Sequence, residues 1–68
     1  MKSWQKIYAT EESVRAHLVK GILEAKELRP VLINKKDSVY QIGNYEIYVL
    51  PENVLKAIKT ITDETGFE

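Results

Sequence analysis

The sequence predicts an α+β domain of order strand, helix, strand, strand, helix. Three observations carry this. Segments rich in aromatic and β-branched residues with period two lie at 3–9, 31–34 and 45–50. Apolar residues recur at spacings of three and four through 14–28 and 54–61. Pro30 and Pro51 divide these segments at the places where a helix must end or begin.

The first strand runs from Ser3 to Ala9. Alternation puts Ile7 and Ala9 on one face, and Trp4, Lys6 and Tyr8 on the other. Thr10 then reads as a helix N-cap, its hydroxyl accepting from a backbone N–H one turn on. Glu11 and Glu12 follow where the helix dipole favours negative charge. Val14, Leu18, Gly21, Ile22, Ala25 and Leu28 form the apolar stripe of that helix. Arg29, before Pro30, is pushed toward an extended conformation.

The second strand is Val31-Leu32-Ile33-Asn34 and the third is Tyr45 to Leu50. Two turn signals separate them, Lys36-Asp37-Ser38 and Gly43-Asn44, and either one closes the hairpin. Val39 to Ile42 extends a strand or forms a folded loop. Pro51 suits the first turn of the second helix, whose apolar stripe is Val54, Leu55, Ile58 and Ile61. Residues 1–62 make a single domain, and 63–68 a polar, mobile tail in which Gly66 suits the stop of a frayed helix.

A strand–helix–strand unit crosses over right-handed, and the third strand then lies between the first two. The result is a truncated ferredoxin-like antiparallel sheet with both helices on one face. A fourth strand is missing, so an edge, that of the first strand, is expected to stay open. The helices should cover Ile7, Val31, Ile33, Ile47 and Val49. The opposite face would carry Trp4, Tyr8, Leu32, Glu46, Tyr48 and Leu50. That face is apolar enough to mark contact with a partner. Shielding by the 35–44 loop and the tail, a protein partner or second copy, base stacking on the aromatics and a small-molecule pocket compete for it. The partner reading leads, with Trp4, Tyr8, Leu32, Tyr48 and Leu50 as the interface.

Composition narrows the partner. The chain has 68 residues and no Cys, so neither disulfides nor a Cys metal site supports it. Ten basic and ten acidic residues balance to zero. That argues against a nucleic-acid binder held by phosphate contacts and against docking on an anionic membrane. No segment approaches the ~20 apolar residues of a membrane helix, and the N-terminus lacks a secretory pattern. A cytoplasmic protein is expected.

Nothing in the sequence assembles a catalytic or cofactor site. His17 has neither a nucleophile nor an orienting partner nominated beside it. The carboxylates follow no calcium or zinc spacing, and Gly21, Gly43 and Gly66 are isolated. One polar cluster stands out, Asn34, Lys35, Lys36, Asp37 and Ser38, with Tyr40 just after it. Two ammonium groups beside an amide and a hydroxyl suit an anion or an acidic partner. Asn, Asp and Ser also build turns with their own backbone, which is the simpler explanation.

The stretches Trp4-Gln5-Lys6-Ile7-Tyr8, Ala16 to Leu23, Val31 to Tyr40 and Glu46-Ile47-Tyr48-Val49, with Pro51-Glu52 leading to Ala57, carry a family resemblance. Together they resemble short bacterial proteins of a prokaryotic signal-transducing family, a domain of unknown function. The resemblance runs from about Trp4 to Ile61. It implies kinship with the ferredoxin-like fold of nitrogen-regulatory signalling proteins. In those regulators the loop between the second and third strands carries partner contacts and can carry a modified Tyr. Here that loop spans Lys35 to Asn44 and contains Tyr40; it is shorter. The expectation is a non-enzymatic interaction or regulatory module without cofactor, self-associating or binding another protein. The alternative is a sensor of a small anionic ligand or nucleotide.

Overall fold

Alternating side chains give three strands, and the computed structural model describes them within residues 3–36, 39 and 42–66. Asp37, Ser38, Tyr40 and Gln41 lie outside these residues. The elements are β1 (Gln5–Thr10), α1 (Ser13–Ala25), β2 (Val31–Asn34), β3 (Tyr45–Val49) and α2 (Val54–Thr65), with a single 3-10 turn at Pro51–Asn53. The strands form one antiparallel sheet of order β1-β3-β2. This is the truncated ferredoxin-like arrangement. Both helices cover one face, and the most buried strand, β3, is central.

The core lies between the helices and that face. Val19 and Leu23 of α1, Ile47 and Val49 of β3, and Ala57 and Ile61 of α2 are buried, together with Leu28. Ile7, Tyr8, Leu32 and Val54 pack against them at its margin. Ala16 and Ala57 are also fully buried.

Several expectations are corrected. Thr10 does not cap α1. It ends β1, and its hydroxyl accepts from the Glu12 N–H at 3.2 Å, a local turn that leaves Glu12 at the cap position. The stripe that α1 buries is Ala16, Val19 and Leu23. Val14 is 82% exposed and Leu18 50%, so the expected stripe faces largely outward. Leu28 reaches the core after the helix has ended. Glu27 and Arg29 adopt left-handed φ of 60° and 53°, and the Leu28 N–H returns to the Leu23 carbonyl at 3.1 Å. On α2, Ala57 and Ile61 point in, while Leu55 and Ile58 point out. α2 also runs three residues beyond the expected boundary at 62, to Thr65, where Gly66 closes it at φ 76°.

The faces of the outer strands are likewise revised. β2 pairs with β3 so that Leu32 stands opposite Ile47 and Val31 opposite Tyr48. Residues directly opposite share a face. Leu32 therefore joins the helix side, and Val31 and Ile33 take the open side, the reverse of the expectation. In β1 the register shifts between Lys6 and Tyr8. That bulge inserts a residue and turns Tyr8 toward Ile47 and the core, removing it from the open face.

The hairpin ladder continues to Lys35, whose N–H donates to the Asn44 carbonyl at 2.9 Å. Asp37 and Ser38 of the first turn signal lie outside the described residues, so which signal closes the hairpin is not described. Gly43 sits at its mouth with φ 116°, where a Cβ would lie 2.5 Å from the Lys35 carbonyl oxygen. Only glycine fits that approach.

Candidate interaction surface

Alternation along β3 sends Glu46 and Tyr48 to the open face of the sheet, between Lys6 of β1 and Ile33 and Val31 of β2. Glu46 is the hub. Its carboxylate accepts from the Tyr48 hydroxyl at 2.6 Å. Lys6 Nζ lies 3.6 Å and Lys35 Nζ 4.0 Å from it, the two lysines about half exposed and Glu46 only 14%. The phenol hydrogen bond, aided by the lysines, holds the Glu46 carboxyl below the usual carboxylate range, against a smaller opposing effect of desolvation. The same bond, with desolvation, pushes the Tyr48 hydroxyl up. A charged carboxylate and a neutral phenol are thus mutually stabilised near neutral pH. Both shifts run away from pH 7, the opposite of what a general acid or base there requires.

Around this polar centre the face is apolar. Val31 and Ile33 are 39% and 37% exposed. Trp4, immediately before β1, is about half exposed, and Leu50, immediately after β3, is half-buried. Of the interface expected from sequence, the register keeps Tyr48 on the open face and moves Tyr8 and Leu32 to the core side. Val31 and Ile33, assigned to the core by alternation alone, replace them. Only the strand register identifies them.

The loop cluster separates into individual contacts. The Asn34 Oδ1 accepts from the Lys36 N–H at 2.8 Å, a turn made with its own backbone. Lys36 Nζ stands 5.7 Å from the centre of the Tyr45 ring, a cation–π distance. Lys35 leans to Glu46. The described lysines therefore do not converge on a common anion position. Asp37, Ser38 and Tyr40 of the expected cluster fall outside the described residues.

His17 is engaged locally. Its Nδ1 lies 2.8 Å from the Ser13 carbonyl oxygen, and its ring meets Tyr45 edge-on at 6.4 Å. Among the described residues no His, Cys, Asp and Glu side chains gather to hold a metal ion. Among the described residues no helix is long and apolar enough to cross a membrane. A groove of about 450 Å³ runs along α2 beside the end of α1, lined by Lys26, Lys56, Lys59, Thr60, Asp63 and Glu64. The Asp63 carboxylate lies 3.9 Å from Lys59 Nζ. Comparison with protein families, curated proteins and solved structures returns no significant match.

Proposed function

We propose that this chain is a non-enzymatic interaction module of the signal-transducing kind, binding a second copy or another protein through the open face of its sheet. The observation that carries the reading is the pair Val31 and Ile33, each more than a third exposed, beside a polar centre in which Lys6, Lys35 and the Tyr48 hydroxyl compensate the Glu46 carboxylate. Single exposed apolar residues need no explanation, but neighbouring β-branched ones on a flat sheet do. The neutralised Glu46 adds polar specificity at little desolvation cost, since its partners lie within the same chain. Light scattering over a concentration series tests self-association. The mass should rise above the 7.9 kDa of one chain, and Ile33→Lys should hold it there while the circular dichroism spectrum stays native. A wild-type mass of one chain at every concentration removes the second copy as partner.

A second reading, a sensor of a small anion, draws on the groove with Lys26, Lys56, Lys59 and the Thr60 hydroxyl. The carbonyls at the end of α1 and two carboxylates in the same groove oppose it. Unchanged melting with inorganic phosphate and nucleotides would end this reading.

A further inference from the structure

We propose that residues 26–30, between α1 and β2, form a two-state strap that either closes on the core or continues α1 by one turn. In the closed state α1 ends at Ala25. The Lys26 and Leu28 N–H groups both return to the Leu23 carbonyl at 3.1 Å, and the Glu27 N–H to the Glu24 carbonyl at 2.9 Å. Leu28 is then 3% exposed, and the Asn53 side-chain amide donates to its carbonyl at 3.3 Å. This turn needs left-handed backbone at two residues, and neither is glycine. Glu27 stands at φ 60° and Arg29 at φ 53°. Glu27 holds the place where a helix ordinarily ends on glycine, as α2 does at Gly66. Arg29 precedes Pro30, which favours an extended conformation there instead. Left-handed φ in residues with side chains is strained and persists only where the surroundings enforce it. The enforcing contacts are the burial of Leu28 and the Asn53 bond.

The local sequence prefers the other state. Ala25, Lys26, Glu27 and Leu28 are all strong helix formers. Continuing the helix keeps the three N–H donors bonded, Lys26 to Ile22, Glu27 to Leu23 and Leu28 to Glu24. The number of backbone hydrogen bonds is therefore unchanged. Pro30 disfavours helix at Arg29, so the continuation stops at Leu28. Leu28 lies three residues after Ala25, and in the longer helix it joins Val14, Leu18, Gly21 and Ala25 on the outward stripe. Release thus trades one buried leucine for relief at two strained residues. Opposing effects of this kind leave a minor state at about 0.1–10%.

Release reaches the sheet. Three more helical residues carry the chain about 4.5 Å along α1, which leaves Arg29 and Pro30 to span the way to β2. Val31, the first residue of β2 and opposite Tyr48, gives way first. The open face then loses one of its two exposed valine and isoleucine side chains, and the outward stripe gains Leu28. A partner on the sheet favours the closed strap, and a partner on the stripe favours the released one. This coupling rests on the reading above; the two-state strap does not.

The test is relaxation-dispersion and saturation-transfer NMR on the isotope-labelled chain. Lys26 to Arg29 and Val31 should show exchange in the microsecond-to-millisecond range, with helical minor-state carbon shifts at Lys26, Glu27 and Leu28. Glu27→Gly relieves the closed turn and weakens the longer helix, so the released population should fall about fivefold or more. Asn53→Ala removes the bond to the Leu28 carbonyl and should raise that population. Leu28→Ala should raise it further; should that variant misfold, the other two decide. Random-coil minor-state shifts would mean simple fraying and overturn the proposal. So would a population unmoved by Glu27→Gly, or no exchange at these residues in both wild type and Asn53→Ala. A helical minor state with Val31 unaffected would keep the strap and overturn its coupling to the sheet. A strap that exchanges as expected while Ile33→Lys leaves association unchanged removes only the sheet face as the partner surface.

Discussion

Glu46 owes its contacts to strand pairing. Alternation within Tyr45-Glu46-Ile47-Tyr48-Val49 alone places its carboxylate on the open face beside Tyr48. Lys6 and Lys35 come from distant segments, so only the register brings them within 4.0 Å. The cluster makes stability depend on pH in two windows. Glu46 has a depressed folded pKa, so its contribution is full above the unfolded carboxyl value and is lost as pH falls through the folded one. Tyr48 has a raised folded pKa, so its contribution is full below the unfolded phenol value and is lost as pH rises through the folded one. Tyr48→Phe removes the hydrogen bond behind both shifts. In denaturant melts across pH, the variant should lose the alkaline dependence and show a weakened acid one. Its Glu46 carboxyl, followed by carbon NMR, should titrate closer to the ordinary value. An unmoved Glu46 titration would mean the lysines, not the phenol, hold it.

At the scale of elements, the strand segments were legible and their orientation was not. Residues 31–34 read as a strand from composition, and β2 occupies that span. Alternation says only that Leu32 opposes its neighbours in face. Which face is buried depends on pairing with β3. The bulge in β1 was silent in sequence for the same reason, because Gln5 to Thr10 contains no glycine to announce it. α1 posed a different ambiguity. Val14, Leu18, Gly21 and Ala25 lie on one side of the helix, and Ala16, Val19 and Leu23 on the other, both at helical spacing. Periodicity cannot choose between two apolar stripes; packing does. The choice has a measurable consequence. Leu23→Ala should cost about 2–5 kcal/mol, as buried leucine truncations do. Leu18→Ala, on the outward stripe, should change stability by about 0.5 kcal/mol or less. Urea melts decide it, and similar losses at the two positions would contradict the orientation of α1.

Across the whole molecule, apolar surface is left on both layers. Val31 and Ile33 lie on the sheet side, and Val14, Leu18, Leu55 and Ile58 on the helix side. A chain with zero net charge and a pI of about 6.6 has little long-range repulsion to keep such surfaces apart. Association at a fixed concentration should therefore peak near pH 6.6 and decline on either side, read as mass by light scattering. The two layers can be told apart because they tolerate charge equally well. Val14 and Leu55 are more than 80% exposed, so Val14→Lys with Leu55→Lys should leave the melting temperature nearly unchanged. Ile33→Lys changes a partly exposed position on an edge strand and should also fold. Each variant is compared with wild type at its own pI, where net charge is matched. If the sheet is the contact surface, the helix variant keeps its association and Ile33→Lys loses it. The reverse pattern would transfer the interaction to the outward stripes of α1 and α2, and would leave the open sheet face without a role in self-association.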